Sequence, residues 1–220
     1  MHEWFDKGNS YFKLGQYEDA IKAYDKAIKL NLKDAAVWHN KGSSYLNLGQ
    51  YEEAINAYVK ASELDPNDAS TWYNKGCSFF NLGRYEEAIN AYVKVIELDP
   101  NDASTWYNKG CSFFNLGQYE DAIKAYDRVI ELAPKDATTW YKQGIPIKKL
   151  GSPDIEWNKL CHKDIVLDPV LASAWYGKGL SCKNLGLYND AISACDKAIE
   201  LAPIYPTAWY EKGNSFMHLG

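Results

Sequence analysis

The residues able to do chemistry are few and scattered. The four histidines, His2, His39, His162 and His218, lie far apart in the chain. Cys161-His162 is the one Cys/His neighbour pair. Adjacent residues of a helix point about 100° apart, so these two do not converge on one metal ion. There is no G-x-S-x-G, no phosphate-cradling glycine loop and no H-E-x-x-H. Carboxylates such as Glu86 and Glu87 recur where a solvated outer helix face is expected. The sequence therefore predicts no enzymatic activity, no catalytic residue, no metal and no cofactor. What recurs instead is amide chemistry. Asn40, Asn74 and Asn108 form one row, and Asn47, Asn81, Asn115 and Asn184 form another. Each asparagine offers a donor and an acceptor, which suits it to pairing with peptide backbone.

These rows follow a strict period. Residues 65–83, DPNDASTWYNKGCSFFNLG, recur unchanged at 99–117, a shift of 34 residues. Trp4, Trp38, Trp72, Trp106, Trp140, Trp175 and Trp209 mark the period, with one interval of 35 between Trp140 and Trp175. A glycine stands four residues after each tryptophan and another eleven after. Trp72, Gly76 and Phe79 are spaced i, i+4, i+7 and share a helical face, as do Ala88, Tyr92 and Val95. Gly83 stops the first helix and Pro100 the second. Asp68, Asp102 and Asp136 stand where the next helix needs a capping oxygen. Each unit thus reads as two helices, close-packed through small residues such as Gly76 and Ala88.

The W-x-x-x-G, the L-G-x-Y turn, the A-I of the second helix and the closing proline together resemble the tetratricopeptide repeat family. Six units cover 1–34, 35–68, 69–102, 103–136, 137–171 and 172–205, and 206–220 is the first helix of a seventh. A lone hairpin cannot bury its apolar face, so neighbours stack. The resemblance implies one all-α, right-handed superhelical solenoid over 1–220 with 13 helices, the first helices lining the concave side. The fifth unit departs from the pattern. Pro146 interrupts its first helix, Ile147 replaces the core aromatic, and Trp157 falls where other units place alanine. Drift in a tolerant repeat and a bend that reshapes the groove both remain open readings.

The groove expected from this stacking carries the functional reading. One residue after each tryptophan stand Phe5, His39, Tyr73, Tyr107, Tyr141, Tyr176 and Tyr210, a near-continuous aromatic stripe. Adjacent units about 10 Å apart meet an extended chain every three residues. The asparagine rows resemble the ladder that holds peptide backbone in the tetratricopeptide superhelix of O-GlcNAc transferases. The candidate groove residues are Tyr73, Asn74, Cys77, Asn81, Tyr107, Asn108, Cys111, Asn115, Tyr141 and Tyr176. Cys77 and Cys111 are equivalent residues expected as free thiols, and Cys182 and Cys195 as small hydrophobes in the core. The carboxylate clamp of chaperone-binding relatives is absent, since its cationic sites carry Ser70, Tyr73 and Asn108. Lys142, Lys148, Lys149 and Lys183 form a basic patch that suits an acidic ligand, or simply a solvated face.

Composition agrees. With 24 basic and 29 acidic side chains, the net charge of −5 opposes nucleic-acid binding. No apolar run approaches the roughly 20 residues of a membrane span. Five cysteines without a C-x-x-C, and a start lacking a basic head and apolar stretch, suggest a cytoplasmic protein. The expectation is a non-enzymatic scaffold binding a peptide or partner protein in its groove. The alternatives are a targeting or regulatory fragment of a larger enzyme or signalling protein, and a self-assembling module. Trp209 and Phe216 lack a partner helix, which predicts end-to-end or swapped association.

Overall fold

The computed structural model describes residues 2–31, 33–132 and 169–219, and every regular element among them is a helix. The chain divides into two compact units, Met1–Pro100 and Asn101–Gly220. The first holds three hairpins: α1 (His2–Lys13) with α2 (Tyr17–Leu30), α3 (Ala35–Asn47) with α4 (Tyr51–Leu64), and α5 (Ala69–Asn81) with α6 (Tyr85–Leu98). The second holds α7 (Ala103–Asn115) with α8 (Tyr119–Leu132), α9 (Pro169–Asn184) with α10 (Tyr188–Leu201), and the single helix α11 (Pro206–Met217). Of the 13 helices expected, 11 lie among the described residues. Pro146, Ile147, Trp157, Cys161 and His162 lie outside them.

Local chemistry explains the helix ends. The Asp68 carboxylate accepts from the Ser70 N–H at 3.0 Å, and Asp102 does the same for Ser104. Asp34 accepts from Ala36 and Val37. The second helices α2, α4, α6 and α10 have no side-chain cap and are launched from the turn instead. At Gly83 the backbone takes φ +73°, and the next N–H, of Arg84, reaches back to the Phe79 carbonyl at 2.9 Å. That pair of features closes the helix by a six-to-one bond that an L residue at Gly83 would strain.

The hairpins close on a glycine–tyrosine contact. A Cβ on Gly8, Gly42, Gly76 or Gly110 would stand 2.4–2.7 Å from the ring of Tyr24, Tyr58, Tyr92 or Tyr126. Those rings are buried, alongside the alanines of the second helices. Cys195 takes the tyrosine's seat over Gly179, and Cys182 and Cys195 are buried, as their core positions require.

Within the first unit the first helix of a hairpin also packs on the second helix before it: α3 on α2 and α5 on α4. In the second unit the helix seated on α8 is α9, the first helix of the sixth repeat. The sequence places the fifth repeat's first helix at that seat. Ala174, buried with Ala122, Tyr126 and Val129, stands where Val37 stands in the first unit.

Candidate functional site

In the first unit the first helices are tied side by side by polar bonds. The Tyr24 hydroxyl donates to Asn9 Oδ1 at 2.8 Å, and Asn40 Nδ2 donates to the same oxygen at 2.9 Å. Burial pushes the Tyr24 phenol up to about 12, so it stays protonated and donates. Next along, His39 Nδ1 meets Thr71 Oγ1 at 2.7 Å, with Asp68 Oδ2 at 3.4 Å. The Thr71 hydroxyl donates to Asp68, which assigns the Nδ1 proton to His39 as the donor to Thr71. Burial lowers the His39 pKa and the neighbouring Asp68 opposes that.

The row that includes Cys77 and Cys111, expected to line the groove, has an internal role that the sequence analysis did not assign. Five residues after the tryptophan stand Asn9, Ser43, Cys77 and, in the second unit, Cys111. Each meets the hydroxyl of the buried tyrosine 15 residues further on: Ser43 meets Tyr58 at 3.1 Å, Cys77 accepts from Tyr92 at 3.6 Å, and Cys111 from Tyr126 at 3.5 Å. The signal was legible, because a buried phenol needs a partner.

The predicted residues of the first unit divide between packing and surface. The aromatic stripe does not point away from the hairpin core. Tyr73 is half-buried and tilts onto Tyr92, with ring centroids 6.2 Å apart, as Phe5 does on Tyr24 and His39 on Tyr58. Cys77 is half-buried. Asn81 is exposed, but its Nδ2 donates to the Cys77 carbonyl at 2.7 Å, as Asn47 does to Ser43. In this unit the second asparagine row therefore binds back to its own helix. Asn74 is half-buried, and its side chain makes no hydrogen bond among the described residues.

The second unit corrects the expectation more sharply. Asn108 is fully buried. Burial raises the Cys111 thiol and holds the Tyr107 phenol well above its usual range. Asn108 is thus part of the unit's interior, while Tyr107 and Cys111 are half-buried. Asn115 is exposed and donates to the Cys111 carbonyl at 2.7 Å. The Tyr176 ring stacks obliquely on Tyr205 at 5.0 Å. Lys183 is no free anion receptor, because Glu211 pairs with it at 2.6 Å. Tyr141, Lys142, Lys148 and Lys149 lie outside the described residues.

Among the described residues no group of three or more His, Cys, Asp or Glu could hold a metal ion. No described helix is long and apolar enough to cross a membrane.

The models of the tetratricopeptide repeat family match residues 5–69, 73–137 and 172–205, passing over the degenerate fifth unit. No curated protein matches the sequence. Among solved structures the fold is similar to MamA, at 23% identity and TM-score 0.72 over 91% of this chain and 90% of that one. It is also similar to YrrB, described as a TPR protein with an unusual peptide-binding site, at 21% identity and TM-score 0.73 over 96% and 90%. A tetratricopeptide repeat protein from Parabacteroides merdae shares 17% identity at TM-score 0.71, over 100% of this chain and 73% of its own.

Proposed function

The chain belongs to the tetratricopeptide repeat family, and from that premise we propose that it is a non-enzymatic scaffold that holds an extended peptide across α1, α3 and α5. The fold is one that serves protein–protein interaction. The observation that carries the finer reading is Asn74. It is a half-buried amide with no side-chain hydrogen bond among the described residues, near Asn40 and His39, which are already paired. Such an amide gains a donor and an acceptor pairing when backbone lies over it. The peptide-binding site described for YrrB, a fold neighbour, supports the same use.

The test is a displayed peptide library panned on the full chain, with hits titrated against variants. Losing one neutral hydrogen bond costs about 0.5–1.5 kcal/mol, so Asn74→Ala should weaken binding roughly 2- to 13-fold. The outer-face change Glu86→Ala should leave it unchanged. The opposite pattern would move the site to the second helices and end this reading.

A second reading, self-association, is favoured by α11. Trp209 is 52% and Phe216 53% exposed, and a Cβ on Gly213 would meet nothing within 4 Å. Every other described glycine at this register faces a side chain of a second helix.

A further inference from the structure

The junction of the fourth and sixth repeats is written in the side chains of both. Lys178 lies three residues after Trp175 and pairs with Asp127 of α8 at 2.6 Å. The same register pairs Lys41 with Asp25 and Lys212 with Asp196, each at 2.6 Å, between successive repeats. In the fifth repeat that position holds Gln143, which brings no charge to Asp127.

A second feature is independent of charge. Two residues after the tryptophan the second to fourth repeats carry Asn40, Asn74 and Asn108, and the fifth carries Lys142. The sixth carries Gly177, inside a helix where glycine is intrinsically unfavourable. A Cβ there would stand 2.6 Å from Cζ of Tyr126, and that ring is 3% exposed. The glycine is thus matched to Tyr126.

We propose that the face of α8 carrying Tyr126 and Asp127 is an interaction surface built for the first helix of the sixth repeat, so that residues 137–171 are dispensable for folding of the second unit. Deleting those 35 residues joins Asp136 to Ala172. The joined run Asp136-Ala172-Ser173-Ala174-Trp175 has the spacing of Asp34-Ala35-Ala36-Val37-Trp38, with its N-cap and tryptophan in register.

Two measurements test this by circular dichroism and calorimetry. The shortened chain should stay helical and unfold cooperatively, with a midpoint no lower than that of the full chain. In the full chain, Gly177→Ala should lower the midpoint by about 4–8 °C through overpacking against Tyr126. The control Gly213→Ala should leave it unchanged or raise it. The sign at Gly177 is decisive, because alanine in an open helix position stabilises. A raised midpoint for Gly177→Ala, or loss of the cooperative transition in the shortened chain, overturns the proposal. A charge reversal supplies a further arm: Asp127→Lys and Lys178→Asp should each lower the midpoint, and the double variant should recover it.

Discussion

The ring of Tyr92 lies so close over Gly76 that a methyl group on the glycine would stand 2.5 Å from the tyrosine Cε1. The contact sets the separation of α5 and α6, and Tyr92 is fully buried by it. Gly76→Ala should therefore destabilise the chain by about 1–3 kcal/mol, the usual cost of overpacking a filled core. Urea titration of Gly76→Ala against Gly213→Ala checks this, since no atom lies within 4 Å of a Cβ at Gly213. Equal effects at the two sites would contradict the packing account.

His39 should make stability depend on pH. Burial lowers its pKa from the ordinary 6.5, with Asp68 opposing. The unfolded chain then takes up a proton before the folded one does. Stability is complete above about pH 6.5 and falls as pH drops through that value towards the lower folded pKa. His39→Tyr, the wording of the third and fourth repeats, should flatten this part of the profile. The readout is the denaturation midpoint from pH 7.5 to 5 for both chains.

Asp68 serves two partners: it caps α5 through Ser70 and accepts from Thr71 beside His39. Asp68→Ala should cost about 0.5–2 kcal/mol for the lost cap. Asp68→Asn keeps a capping oxygen and should cost less. Chemical denaturation of the two variants separates the cap from the charge.

Cys182 and Cys195 should resist thiol reagents while the chain is folded. Burial pushes the Cys195 thiol up to about 11 and raises Cys182 as well, so little thiolate is present at neutral pH. Alkylation followed by peptide mass spectrometry should show both modified only as the chain unfolds. Modification of Cys195 at the rate of a small free thiol would refute the burial.

The exposed face of α11 should drive association at high concentration. Trp209 and Phe216 are both about half exposed on this helix. Sedimentation should show dimers of the natural chain and their loss in Trp209→Ser/Phe216→Ser. If both are monomeric at millimolar concentration, the face is idle.

The sequence alone determined the helical hairpins. The tryptophan period, the two glycine registers, the capping aspartates and the small residues facing each tyrosine are local wording, and local backbone chemistry reads them directly. What the wording could not decide is which face each hairpin buries. Residues 65–83 and 99–117 are identical, yet Ser70 is exposed and Ser104 buried, Asn74 half-buried and Asn108 fully buried, Phe79 buried and Phe113 partly open. Helix propensity and capping act within a few residues. Burial depends on what stands across the face, and only the tertiary structure supplies that neighbour. The seat on α8 shows the same limit. Register alone assigned it to the helix next in sequence, whereas Gly177 and Lys178 fit Tyr126 and Asp127 by volume and charge. That complementarity appears only when residues 51 positions apart are brought together.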